Sequence, residues 1–181
     1  MNPPVTAPVR RHAARLILLT LLLAPSAQAA RVPVPATTLS IELPADFTAM
    51  TTGAIATKYG RGGQRPTTVY STPGPNYSVN IAFRLAEQAV TPQQLPELKS
   101  ALEKAVQATP GFRWVSRGFT KVAGREWIVL RFWVDGLDAP IYNDMRVTSE
   151  SGKMLLVTAN SSTSAYSKYS AKLTAALLSL K

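Results

Sequence analysis

The sequence predicts an α+β domain: a largely antiparallel β-sheet flanked by helices on both faces, an α/β/α sandwich. Three observations predict it. Residues 112–160 divide into four runs of strand character, separated by Ala123-Gly124, Asp135-Gly136 and Ser151-Gly152. Short Gly-containing connections of this kind join antiparallel neighbours. The run over 125–134 is apolar at successive rather than alternate positions, with Trp127, Ile128, Val129, Leu130, Phe132 and Trp133, so it is expected to lie centrally with cover on both sides. Residues 91–109 and 164–180 repeat apolar side chains at helical spacing and supply cover.

Taken in order, Leu39, Ile41 and Leu43 alternate with Ser40 and Glu42 as a half-buried strand that Pro44 stops. Asp46 is a candidate cap for a helical segment over 47–58, with Met50, Ile55 and Tyr59 as inward contacts. Residues 60–66 are Gly-rich and read as a loop, and 67–71 as a β-branched strand. Residues 72–76 (Thr-Pro-Gly-Pro-Asn) carry turn chemistry. They lead into a strand over 77–85 with Val79, Ile81 and Phe83 on one face, and the two strands are expected to pair as a hairpin. Thr91 and Pro92 suit a helix start, and Leu95, Leu98, Leu102, Ala105 and Val106 form its apolar stripe before Pro110-Gly111 ends it. Strands follow over 112–122, 125–134, 140–149 and 153–160. A closing helix over 164–180 repeats Tyr166, Tyr169, Leu173, Ala176, Leu177 and Leu180. The element order is β-α-β-β-α-β-β-β-β-α.

Several of these segments carry a family resemblance. They are Leu43-Pro44-Ala45-Asp46-Phe47 after the opening strand, the hairpin ending in Ser78-Val79-Asn80-Ile81-Ala82-Phe83, and Trp114-Val115-Ser116 leading to the Gly124 turn. Ile141-Tyr142-Asn143 and Gly152-Lys153-Met154-Leu155-Leu156 precede the last helix. Over residues 38–181 the chain resembles the PsbP-like, or Mog-type, superfamily and its exported bacterial DcrB-like branch. That resemblance implies the layered fold and a role in binding other proteins. It carries no catalytic residue set.

Arg10, Arg11 and Arg15 form a basic start, residues 16–24 an apolar stretch and Pro25 a break; Ala27-Gln28-Ala29 has the small-x-small pattern of a cleavage site. This is the layout of a secretory signal, and its apolar stretch is far short of the ~20 residues that span a bilayer. The expected organisation is a cleavable signal peptide over 1–29, a Pro-containing linker over 30–38 and a single domain over 39–181. The product is expected in a periplasm or outside the cell, with no transmembrane span after cleavage. Removing 29 of the 181 residues leaves 152, enough for one domain's core.

The chain has no Cys, and its one His is His12, inside the leader. Ser-His-Asp and Cys-His nucleophile systems, Cys/His zinc sites and haem held by His or Cys are therefore excluded from the exported part. No enzyme activity, cofactor or metal is expected. Twenty Lys and Arg stand against 10 Asp and Glu, and the leader takes three arginines and no acid, so the exported part carries 17 cations against 10 acids, a net +7. Such a charge suits an acidic partner or an anionic surface; nucleic acid is not expected, because no binding fingerprint is present.

Two groups are candidate anion or partner contacts. Lys58, Arg61 and Arg65 surround Gly60, Gly62 and Gly63, where converging backbone N–H groups and cations favour an anion, although the spacing matches no phosphate-binding fingerprint. Arg113, Arg117 and Lys121 share strand parity with Val115 and Phe119, a basic stripe suited to docking or to guarding a sheet edge. Arg131, Asp144 and Arg146 fall on neighbouring strands as an expected structural ion pair. The expected function is a non-enzymatic, exported envelope accessory protein that binds a protein partner. The alternative is a protein that binds an anionic membrane or wall polymer through those basic residues. A hydrolase would need a buried Asp144 or Glu126 in a pocket.

Overall fold

The computed structural model describes residues 29–60, 65–74 and 76–181. The fold is α+β, with a large antiparallel sheet and three helices. In chain order its elements are β1 (Ala30–Pro33), β2 (Ser40–Leu43), β3 (Thr48–Ala49), α1 (Thr52–Tyr59), β4 (Thr68–Ser71) and β5 (Val79–Ala89). A 3-10 turn (Pro92–Gln94) opens α2 (Leu95–Gln107), and β6 (Arg113–Val122), β7 (Arg125–Val134), β8 (Ile141–Glu150), β9 (Lys153–Ser162) and α3 (Thr163–Leu178) complete it. Seven strands form one sheet in the order β3-β4-β5-β9-β8-β7-β6, and β1 and β2 pair separately. The β6–β7 and β8–β9 turns have both central residues at left-handed φ, Ala123 at 54° and Gly124 at 71°, Ser151 at 50° and Gly152 at 79°. That geometry matches the twist of the strands it joins.

Strand alternation divides the core. From β7, Trp127 joins Val79, Ile81 and Phe83 of β5, Leu155 and Val157 of β9, and Tyr169, Leu173 and Leu177 of α3. The intervening Ile128, Leu130 and Phe132 join Val147, Met154 and the α2 residues Leu95 and Val106. Ile55 of α1 packs with Val69 and Ala82. β7 is covered on both sides, as its apolar run requires, but it is not central. It lies one strand in from β6, and β8 and β9 take the middle of the sheet.

Two local expectations are corrected. Within the residues read as a linker, Ala30–Pro33 pair antiparallel with β2, and the Val34 side chain is buried in the main core. A two-stranded pair leaves one side of each strand free of ladder bonds, so Pro33 is tolerated there. Asp46 caps no helix. Thr48–Ala49 pair with β4, and the Thr51 side chain instead accepts from the Ala54 N–H at 3.2 Å to start α1. The Asp46 carboxylate accepts the Tyr169 hydroxyl at 2.5 Å, fastening α3 to the β2–β3 connection. The signal-peptide reading concerns residues that, apart from Ala29, lie outside those described.

Long-range polar ties close the body. Both the N–H and the hydroxyl of Thr38 donate to Glu150 Oε1 at 3.1 Å, and Arg125 pairs with Oε2 of the same buried carboxylate. The last residue, Lys181, exchanges backbone hydrogen bonds with Ser40, 3.0 Å out and 2.8 Å back.

Two outcomes follow. Trp127 is fully buried, so Trp127→Ala is expected to cost about 3–5 kcal/mol, read as a lowered urea midpoint. The hydrogen bond to Asp46, followed by burial, pushes the Tyr169 phenol from 10.0 up to about 12. A phenol that ionises later when folded contributes stability that is whole below pH 10 and is lost as pH rises toward 12. Unfolding free energy measured across that window is expected to fall, and to fall less steeply in Tyr169→Phe.

Candidate functional site

β6 is the outermost strand on its side of the sheet, ten residues long, and it carries the second candidate group. Its register on β7 shifts between Trp114 and Ser116. This bulge at Val115 places one extra residue in the strand and inverts the parity beyond it. Arg113 stands opposite Trp133, whereas Arg117 stands opposite Leu130 and Lys121 opposite Glu126. The continuous basic stripe is therefore broken, with Arg113 on one face and Arg117 and Lys121 on the other.

Arg117 does not stand free. Its Nε lies 3.7 Å from Glu103 of α2, and its guanidinium sits 5.0 Å from the centre of the Trp114 ring. Lys99 takes the same Glu103 carboxylate at 2.5 Å and lies 5.8 Å from the Phe119 ring. β6 still exposes two large apolar side chains, Val115 at 48% and Phe119 at 43%.

Of the first candidate group, Lys58 and Arg65 lie among the described residues. The Lys58 ammonium donates to the backbone carbonyls of Asn76 and Tyr77 at 3.3 and 3.0 Å, fastening α1 to the β4–β5 turn, and burial lowers its pKa. Arg65 is exposed and makes no side-chain hydrogen bond or ion pair among the described residues. Arg61 lies outside them.

The strongest charge cluster lies on β7 and β8. Arg131 faces Asp144 across the pair, and Arg146 follows Asp144 on the same face of β8. Arg131 Nε donates to Asp144 Oδ2 at 2.9 Å, Arg146 Nε to Oδ1 at 3.1 Å, and Arg146 Nη2 to Oδ2 at 3.5 Å. Asp144 and Arg146 are both buried. Parity brought these three residues together in the sequence; the bidentate geometry and the burial were not visible there. An aromatic group borders the cluster: Tyr166 lies with its ring centre 5.1 Å from Trp133 and 4.7 Å from Tyr142. On the other side of Arg131 an open groove of about 320 Å³ runs beside β6, lined by Gly118, Val129, Arg131, Arg146 and Leu178 among others.

No family model and no curated protein matches this chain. Solved structures do. The solution structure of cyanobacterial PsbP (CyanoP) from Synechocystis sp. PCC 6803 superposes with a TM-score of 0.58 at 11% identity, covering 91% of this chain and 98% of that one. The fold is PsbP-like. LpqN, a protein involved in cell envelope biogenesis of Mycobacterium tuberculosis, shares this PsbP-like arrangement with a TM-score of 0.55 at 12% identity over 85% of this chain and 90% of its own. A protein of unknown function from Pseudomonas aeruginosa gives 0.51 at 12% identity over 83% and 94%. At such identities the likeness is one of fold, and it assigns no residue a role. Among the described residues, no helix of this chain is long and apolar enough to cross a membrane.

The pairing of Asp144 sets a stability expectation. Asp144→Asn leaves two guanidiniums, one of them buried, without a countercharge, and is expected to cost about 3–5 kcal/mol. Lys121→Ala, at an exposed position, is expected to stay within about 0.5 kcal/mol. Urea unfolding of the two variants side by side checks both.

Proposed function

We propose that this protein is an exported accessory component of the cell envelope that works by contact with a protein partner, and that β6 is where the partner docks. The observation that carries the reading is the outermost position of β6, with its far side unpaired by any strand among the described residues and Val115 and Phe119 exposed on the strand. Long edge strands with exposed apolar residues invite a further strand, and proteins usually blunt them. An extended partner segment adding to such an edge gains main-chain hydrogen bonds and seats alternate side chains. Arg113, Arg117 and Lys121 on β6, within an exported part of net charge +7, favour an acidic segment.

Further support comes from the sequence and the relatives. A leader-like start points to export, and the involvement of LpqN in cell envelope biogenesis is consistent with that compartment. We also read the body as helices layered on both faces of the sheet, supported by the alternation of Trp127 and Ile128 between the α3 and α2 clusters. Contact rather than catalysis is favoured by the exported part's lack of His and Cys. Asp144 spends both oxygens on guanidiniums and Glu126 is exposed, so neither stands as a sheltered acid. The same basic residues would serve an anionic membrane or wall polymer, a reading that predicts binding lost steeply with salt.

A photo-crosslinking side chain at position 119 tests the docking site against one at the fully exposed Leu137. Position 119 is expected to yield one defined adduct in envelope extracts, and Phe119→Asp with Val115→Asp to reduce recovery of that partner at least tenfold. Equal labelling from both positions, or undiminished recovery by the double variant, rejects docking on β6.

A further inference from the structure

Arg146 is 1% exposed and has one guanidinium nitrogen that the fold does not use. Its Nε and Nη2 are spent on Asp144, and Nη1 finds no hydrogen-bond partner among the described residues. A guanidinium stays charged in proteins and cannot shed the idle N–H, and a buried donor of a charged group left unpaired carries a large desolvation cost. Asp144 meets the Nε/Nη2 edge of the Arg146 guanidinium, so Nη1 is turned away from it. Two guanidiniums thus share one carboxylate, leaving one net positive charge where Arg146 and Arg131 line the groove.

The groove is also kept open. Gly118, Val129 and Arg146 form one row across β6, β7 and β8. A Cβ built on Gly118 meets nothing within 4 Å, and its φ is not in the left-handed region. Neither backbone conformation nor crowding requires glycine there, and glycine weakens a strand interior; a glycine so placed often marks close approach by a ligand. Val129 and the 56% exposed Leu178 provide apolar wall beside the charge. Arg131 Nη1, 3.4 Å from the Ser116 hydroxyl, reaches along the same wall.

We propose that this groove binds the carboxylate of a small organic monoanion, with Arg146 Nη1 and Arg131 as donors and Val129 and Leu178 against its apolar part. Arg117, which shares Glu103 with Lys99, also lines the groove, so its wall is net positive and suits an anion, and a planar guanidinium matches the geometry of a carboxylate. The volume, about 320 Å³, suits a compact ligand near the lower end of small-molecule sites. Arg117 and Phe119 of β6 line the groove, but the proposal rests on Arg146 and Arg131 and stands whether or not a partner docks on β6.

The test is a nuclear magnetic resonance titration of the isotope-labelled protein with hexanoate, with inorganic phosphate and hexanol as comparisons. Hexanoate is expected to shift the Arg146 Nε–H and Gly118 amide signals saturably, with phosphate and hexanol at least tenfold weaker. Gly118→Leu, which fills the row without touching the ion cluster, is expected to weaken hexanoate at least tenfold with no loss of thermal stability. Arg146→Lys, which keeps charge but loses the spare fork donor, is expected to weaken it similarly; if that variant does not fold, Gly118→Leu decides. No saturable shift, hexanol as effective as hexanoate, or undiminished binding by Gly118→Leu overturns the site. Phosphate binding as tightly as hexanoate overturns the carboxylate assignment.

Discussion

The register of β8 between β7 and β9 is the constraint on which the rest of the molecule depends. It sets Arg131 opposite Asp144, Arg146 between Val129 and Val157, and Ile128 opposite Val147. Side chains in a strand alternate faces, so a slip of one residue would turn every member of this set over. Arg146 and Asp144 would then enter the apolar cluster that holds Leu95 and Val106 of α2, and Val147 would meet the opposite side. Removing a charge from water costs several kcal/mol, and in this register that cost falls where countercharges already wait. The polar cluster therefore penalises wrong pairings as well as holding the right one.

The remaining polar ties act on the periphery in the same manner. Glu150, buried at the end of β8, draws in Thr38 from the segment between β1 and β2 and Arg125 from the start of β7. Asp46 holds Tyr169 of α3. Without a Cys in the chain, no disulfide can fix the β1–β2 pair, and these carboxylates hold together segments more than a hundred residues apart. The outcome is a body in which β6 is the outermost strand on its side among the described residues.

The sequence made the middle of the fold legible and its margins much less so. Alternation in β5, the two-sided apolar run in β7, the stripe of α2 and the Gly turns at 124 and 152 are local signals, and each reads correctly by itself. β1 is different: Val32 and Val34 lie among prolines, and only the presence of β2 makes that stretch a strand. Thr51 and Asp46 are both good caps, and tertiary demand from Tyr169 decides between them. At the candidate surface, parity placed Arg131, Asp144 and Arg146 together because β7 and β8 pair without interruption. Parity failed for Arg113 because the bulge at Val115 inserts a residue, and nothing in Trp114-Val115-Ser116 announces it. The open space above Gly118 was equally hidden, since it depends on what the neighbouring strands and α3 do not fill.

The solved structures share this fold at 11–12% identity, so the fold leaves wide freedom in the residues themselves. Residues that folding explains are accordingly poor guides to what this chain does. The informative ones are those that folding would rather replace. An apolar side chain of similar volume at 146 would avoid burying a charge. A β-branched residue at 118 would strengthen the strand that glycine weakens. A lysine at 119 would guard the free edge that phenylalanine leaves apolar. All three lie on β6 or in the row that crosses from it to β8. Departures from structural advantage that gather at this margin of the sheet are what the proposed contacts would leave in a sequence, because a residue kept for contact need not be the one that folding favours.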